Sequence, residues 1–576
     1  MITIKTQRAL MQSLAIALSA VICSAQAAFN ATPPSQGAYQ SGQYRNLASE
    51  MGKTNGASKL TDGYNKMFGS NGQQQLYYPY FENGQYKAHY IRAINPVGGD
   101  DIRSEGQSWG MTIAVMMDDQ EAFDNLWRFA KNYMKNPDDH SDPAKQGVYA
   151  WQLKFDSNGN VYKNDEGPAP DGEEYFAFAL LNADARWGSN GEFNYYQDAQ
   201  VMLQTIKNKL MENSIIRFTP YIDNLTDPSY HIPAFYDYFA DRLTSQTEQS
   251  YWRNVATKSR TFLKNHFNKV SGDPHWDLPT YLARLDGSPV IGNIFSGQPT
   301  PGDWYEYDAW RVLMNVALDA HVMGAQSWHI SAINSALGFL NWDKANNGDG
   351  CYKQAYAYGA DQNRGCAGEG QRAANAVALL ASTSTGMAND FFNDFWAMAQ
   401  PTGDWRYYNG SLYMLAMLHV TGNFKFYTGS DSGGGTPSTP PSSTRLRNSY
   451  SNKCLDAAGT NNGANVQQWS CWSGQQQQWT LLNQSDGSYA IKSNHSNRCI
   501  TVSGGATSNG ANINQSSCDY SAKQKFWLQD QGNGFFTLKA SHSSKCLDVA
   551  GPSADDGANI QQYACHGGGG QQFKFD

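Results

Sequence analysis

Residues 445–576 repeat themselves three times, and this repeat limits the possible folds more than any other feature of the chain. Cys454-Leu455-Asp456 returns as Cys499-Ile500-Thr501 and as Cys546-Leu547-Asp548. Each copy has a second cysteine (Cys471, Cys518, Cys565) and closes on Gln477-Gln478-Trp479, Gln524-Lys525-Phe526 or Gln571-Gln572-Phe573. The first glutamines of these closing triplets are 47 residues apart both times. The intervening runs are short and β-type. A unit of this size cannot enclose a core alone, so each copy must complete its neighbour's interior in a symmetric all-β assembly.

Residues 429–444, just before it, are Gly, Ser, Thr, Asp and three prolines. They have almost nothing to bury and read as a linker, partly flexible and partly extended. At the other end, Lys5 and Arg8 precede an apolar run near Leu14 to Ile22, and Ala25-Gln26-Ala27 offers a cleavage site, so residues 1–27 read as a signal peptide. Cys23 directly follows Ile22 and makes a poor lipid-attachment site. Residues 28–428 are then a separate large domain. Removing residues 1–27 takes away two cations and no acids, so the charge moves from −8 to −10. That balance argues against nucleic acid as a partner. No other run is apolar enough to span a bilayer, and the expected location is secreted and extracellular. Without Cys23, eight of the nine cysteines remain, an even number that favours disulfides in an exported chain. Cys351 and Cys366, close in sequence, are expected to pair. None of the eight has metal-site spacing.

From Leu60 to about Gly422 the pattern is mainly helical. Amphipathic runs include Phe123, Leu126, Trp127, Ala130, Met134; Phe176, Ala179, Leu180, Ala183, Trp187; and Ala199, Met202, Leu203, Ile206, Leu210. About a dozen helices joined by long loops suit a ring of helical hairpins better than a four-helix bundle. Aromatics make up 13% of the chain, and several lie in polar segments such as Gly403-Asp404-Trp405-Arg406-Tyr407-Tyr408, where no core periodicity claims them. Flat rings outside a core suit sugar stacking.

Three carboxylates stand out in this region. Glu105 lies in Ser104-Glu105-Gly106-Gln107-Ser108-Trp109-Gly110-Met111, where Ser104 and Gln107 form a capping-box pattern at a helix start. In a first turn the helix dipole favours its ionised form, so donating a proton near neutral pH requires burial or a second acid nearby. Asp171 precedes a strong helix and, taken alone, reads with Glu174 as a structural N-cap pair. Asp308, in Tyr307-Asp308-Ala309-Trp310-Arg311, reads equally as one half of an ion pair with Arg311. Glu369-Gly370-Gln371 repeats the Glu-Gly-Gln triplet, so the triplet alone is weak evidence.

Two resemblances decide among these readings. Residues 445–576 resemble a ricin-B-type β-trefoil, the fold of carbohydrate-binding module family 13. The resemblance implies sugar sites at Asp456, Trp469, Trp472 and Gln477 in the first lobe, and at Asp548, Tyr563, His566 and Gln571 in the third. The middle lobe has Thr501 in place of the Asp and Ser516 in place of the ring, and is expected to bind weakly or not at all. The pairs Cys454–Cys471, Cys499–Cys518 and Cys546–Cys565 are expected within the lobes.

The region from Ala28 to about Tyr427 resembles glycoside hydrolase family 8, through the Glu105 and Asp308 segments quoted above. Its Gly167-Pro168-Ala169-Pro170-Asp171-Gly172-Glu173-Glu174-Tyr175 segment resembles the xylan-active branch. The resemblance implies an (α/α)6 barrel and hydrolysis with inversion. It makes Glu105 the general acid, Asp308 the general base, and Asp171 a group at the central sugar that raises the pKa of Glu105. Tyr230 would hold the nucleophilic water, and Arg311 would keep Asp171 or Asp308 ionised. Trp151, Tyr221, Tyr307, Trp405 and Tyr408 are candidates for subsite stacking. The expectation is a secreted, bacterial, monomeric endo-β-1,4-xylanase acting on xylan and xylo-oligosaccharides without cofactor or metal. The alternatives are a reducing-end xylose-releasing exo-enzyme and a non-catalytic carbohydrate-binding protein.

Overall fold

A computed structural model describes residues 29–70, 72–94, 99–189, 191–272, 277–359, 362–428, 443–484, 488–532, 535–551, 553–566 and 568–576. The expected signal peptide and nearly all of the expected linker lie outside the described residues. The chain divides into two compact units, one running to Ala179 and again over Ala199–Phe426, the other comprising Leu180–Asp198 and Tyr427–Asp576.

Twelve helices of ten or more residues precede Phe426 among the described residues: α1 Gly56–Phe68, α2 Ser104–Met116, α3 Gln120–Phe129, α4 Pro170–Trp187, α5 Tyr195–Thr205, α6 Pro233–Arg242, α7 Gln246–Val270, α8 Asp308–Met323, α9 Ser327–Asn346, α10 Glu369–Ala378, α11 Thr385–Ala397 and α12 Arg406–Val420. The even-numbered helices form an inner ring. Trp109 of α2 meets Tyr175 of α4 and Phe178 of α4 stacks on Phe235 of α6, while α6 packs on α8, α8 on α10, α10 on α12, and α12 on α2. The result is an (α/α)6 barrel. Inner helices touch protein on every side, so their sequences are apolar nearly all round. In α2 only Glu105 escapes full burial, and in α8 only Asp308 and Met323 do.

Several expected elements differ in detail. The runs through Met134 and Leu210 are α-helices up to Phe129 and Thr205, each closing in one π turn. The Ser104–Gln107 capping box does not form. Arg103 is the N-cap residue, and Gln107 accepts from the Ile91 N–H and donates to the Leu126 carbonyl. Asp171 sits within the first turn of α4 rather than capping it.

The second unit holds twelve short strands from Leu446 to Phe575, four per sequence copy. Equivalent strands pair in the same register, Cys454 opposite Trp469, Cys499 opposite Ser516 and Cys546 opposite Tyr563. The first strand closes on the last, Leu446 opposite Phe575. Leu455, Ile500 and Leu547, with Trp479, Phe526 and Phe573, fill one shared core, as a threefold repeat requires, and the strands from Leu446 to Phe575 form a β-trefoil. Disulfides join Cys351–Cys366 in the helical unit and Cys454–Cys471, Cys499–Cys518 and Cys546–Cys565 in the trefoil. Among the described residues no helix is long and apolar enough to cross a membrane.

Candidate active site

The helix ends of the inner ring bring the acids together. The strand Ile102–Arg103 pairs with Leu153 and Gln152, and α2 begins as soon as it ends. Ser104 donates its N–H to the Trp151 carbonyl, and Trp151 donates its own to the Gly167 carbonyl, so the segments before α2 and α4 are tied together. Gly172 permits the final approach, since a Cβ there would lie 2.5 Å from the Ser104 hydroxyl. Glu105 and Asp171 therefore share one pocket.

Arg311, on the first turns of α8, fills the centre. One terminal nitrogen lies 2.8 Å from Asp171 Oδ2 and 3.7 Å from Glu105 Oε2, and the other lies 2.9 Å from Asp308 Oδ1. Its guanidinium sits 5.3 Å from the Trp109 ring centre. The consecutive residues Tyr407 and Tyr408 open α12, and their different directions on a helix let them serve different acids. Tyr407 donates to Glu105 Oε1 at 2.8 Å and Tyr408 to Asp308 Oδ1 at 3.0 Å.

Asp171 is buried, and Glu105 and Asp308 are part-buried around the shared guanidinium. Burial pushes Glu105 up to about 8; Asp171 and Asp308 add to the rise, and Arg311 and Arg103 oppose it. Burial also raises Asp171, against the pull of Arg311 and of the Gly172 N–H. The arrangement can thus hold a protonated Glu105 beside Asp308, which accepts from Tyr408 and forms an ion pair with Arg311, the asymmetry acid–base chemistry needs.

Tyr230 ends a 3₁₀ turn, Pro228–Tyr230, capped by Asp227, whose Oδ1 accepts from the Ser229 N–H. Asn315 of α8 holds the Ser229 carbonyl, which ties this turn to the helix carrying Asp308 and Arg311. Burial, with the charges of Asp171, Asp227 and Asp308, raises the Tyr230 phenol well above its usual range and keeps it a donor.

Among the expected stacking rings, Trp405 and Tyr221 are well exposed, at 61% and 53%. The Tyr221 hydroxyl donates to Asp142. Trp151 is half-buried, and Tyr307 packs on Trp310 from a left-handed backbone (φ 51°) next to Asp308. Tyr408 is part-buried, and its hydroxyl donates to Asp308. Sequence reasoning missed Tyr407 and Asp227. Tyr407 stood beside a named ring, and Asp227-Pro228 is a turn signal ahead of Tyr230.

In the trefoil, Trp469, Trp472 and Tyr563 are exposed rings, and His566 lies beside Tyr563. Asp456 accepts from Gln467 and Gln477, and Asp548 from Gln561. The expectation for Gln477 and Gln571 needs correction. Both are fully buried and bind backbone on either side of the second cysteine, so they hold the loop and do not face a ligand. In the middle lobe Thr501, Ser516 and Gln524 hydrogen-bond one another.

Comparison with known proteins agrees with this geometry. The family described as glycosyl hydrolases family 8 matches residues 73–422, and ricin-type β-trefoil lectin domain-like sequences match three overlapping stretches from 425 to 576. A solved cold-adapted family 8 xylanase is 74% identical, covers 70% of this chain and 99% of its own, and superposes with a TM-score of 0.69. The reducing end xylose-releasing exo-oligoxylanase of Halalkalibacterium halodurans is 31% identical over 68% of this chain and 96% of its own. Endoglucanase C of Ruminiclostridium cellulolyticum is 30% identical over 56% of this chain and 64% of its own.

Two outcomes are expected. If Glu105 must be protonated to act, hydrolysis should fall as pH rises through about 8, the value set by its burial. A pH profile of kcat/KM checks this, and an alkaline limb below pH 6 would contradict it. Replacing Asp456 and Asp548 together by Asn should weaken retention on insoluble xylan by tenfold or more, a loss of about 1.4 kcal/mol, while hydrolysis of short oligomers is unchanged. Pull-down beside oligomer kinetics measures both.

Proposed function

The chain belongs to glycosyl hydrolase family 8, and from that premise we propose that it is a secreted, inverting endo-β-1,4-xylanase whose β-trefoil directs it to polysaccharide. The observation that carries the reading is the pairing of a carboxyl that burial pushes up to about 8, Glu105, with Asp308, which accepts from Tyr408 and lies 2.9 Å from the guanidinium that also pairs with Asp171.

In the proposed reaction Glu105 gives its proton to the glycosidic oxygen as the bond to the anomeric carbon breaks. A water adds to that carbon from the opposite face and loses a proton to Asp308. Inverting pairs keep acid and base roughly 6.5–9.5 Å apart to admit this water. Asp171, anchored by Arg311, sits at the central sugar and adds the negative charge that keeps Glu105 protonated. The Tyr230 phenol helps hold the water, Tyr408 orients Asp308, and Trp151, Tyr221, Tyr307 and Trp405 offer ring faces to the sugar chain. Asp456 with Trp469 and Trp472, and Asp548 with Tyr563 and His566, bind polysaccharide. A tethered binding module raises the local concentration of the cleft on an insoluble substrate. The four disulfides suit an oxidising, extracellular setting.

The exo-oligoxylanase from Halalkalibacterium halodurans, matched along nearly its whole length, favours a second reading, release of xylose from reducing ends. A time course of product lengths from soluble xylan separates the two. A spread of oligomers at the earliest times is expected; xylose as the first product supports the exo reading, and no reducing ends at all would make the chain a binding protein. Glu105→Gln and Asp308→Asn should each lower kcat by roughly 10²–10⁴-fold with Tm unchanged. Near-normal turnover in either would overturn these roles.

A further inference from the structure

Taking Glu105 as the acid, we infer that Tyr407 is a positioning residue that assigns the transferable proton to Glu105 Oε2, the oxygen on the Arg311 side of the carboxyl. A carboxyl can carry its proton on either oxygen, and only one of the two faces the reacting bond. The Tyr407 hydroxyl donates to Oε1 at 2.8 Å. A proton on that oxygen would confront a second donor at hydrogen-bond distance, whereas among the described residues the cation paired with Oε2, Arg311, stands back at 3.7 Å.

The surroundings fix Tyr407 in this role. Its ring is 3% exposed, with the Arg103 guanidinium 5.5 Å from its centre. Arg103 is itself held by two bonds to the buried Asp101, at 3.0 and 3.2 Å, and Asp101 also accepts from Gln152. Gly106 makes room, because a Cβ there would lie 2.4 Å from the Tyr407 ring and 2.7 Å from its hydroxyl. The run Arg103-Ser104-Glu105-Gly106 thus supplies the cation over the ring, the acid, and the gap that lets the phenol reach it. Burial and the neighbouring Glu105 raise the Tyr407 phenol well above its usual range, so it remains a donor wherever the enzyme works.

The charged and titratable groups facing Glu105 are Arg311 and Asp308 from α8, Asp171 and Tyr175 from α4, Tyr407 and Tyr408 from α12, and Arg103, with Asp101 behind it, from the strand before α2. Tyr407→Phe changes only the donor to Oε1. A hydrogen bond to the carboxylate favours its charged form, so losing it keeps Glu105 protonated to higher pH.

The test is the pH profile of kcat/KM on a soluble xylan, with kcat and KM at the optimum, for full-length Tyr407→Phe and Gly106→Ala. The second variant keeps the hydroxyl but displaces the ring. Both should move the alkaline limb upward by about half a pH unit or more. Both should also lower kcat about tenfold, a share of the roughly 10²–10⁴-fold that a positioned acid supplies, with KM within about twofold. An alkaline limb that stays in place or moves down overturns the inference, whatever happens to kcat, since lost packing alone would not shift it upward. Glu105→Gln separates this from the reading beneath it. If it is inactive while Tyr407→Phe matches the parent, the inference alone fails; if it is active, the acid assignment fails.

Discussion

The guanidinium of Arg311 is shared by three carboxyl groups, one buried and two part-buried, and the chemistry proposed for this chain depends on that sharing. One cation satisfies one or two carboxylates, and an additional buried charge costs several kcal/mol unless a proton neutralises it. Glu105 is the most weakly contacted by Arg311, 3.7 Å away against 2.8 and 2.9 Å for Asp171 and Asp308. It is the natural group to keep its proton. A dipole argument from the start of α2 points the other way, and burial outweighs it.

The fold supplies this crowding through its helix ends. Glu105, Asp171 and Asp308 stand in the first turns of α2, α4 and α8, and the two tyrosines that serve Glu105 and Asp308 stand in the first turn of α12. An inner ring of helices places several N-termini around one opening, where their dipoles receive negative charge. The apolar bodies of the same helices exclude water and strengthen each interaction there. Glycine allows the closest approaches, Gly172 against Ser104 and Gly106 against Tyr407.

The trefoil was legible in the sequence because a threefold repeat is a global constraint from which its lobes and shared core follow, while the disulfide pairs came with the family resemblance. The barrel was legible as a count of helices, and Glu105, Asp171, Asp308 and Arg311 through the segments that carry the family resemblance. What escaped the sequence depended on direction. Tyr407 and Tyr408 are adjacent, and only the position of α12 against α2 and α8 decides that one hydroxyl reaches Glu105 and the other Asp308. Gln477 and Gln571 looked available as polar residues beside the binding loops, but backbone groups left unpaired by the loop take up both ends of each amide. Ser104 and Gln107 had the spacing of a capping box, and tertiary partners of Gln107 in the neighbouring strand and α3 prevailed.

These strands meet in the claim that Glu105 gives a proton on one side of the sugar while Asp308 takes one from water on the other. The direct test is ¹H NMR of xylan hydrolysis at early times, before mutarotation, reading the configuration of the newly formed reducing end. Opposite faces require the β-linkage to yield the α-anomer first. The β-anomer as first product would mean that a carboxylate attacks the sugar itself, and would contradict the account.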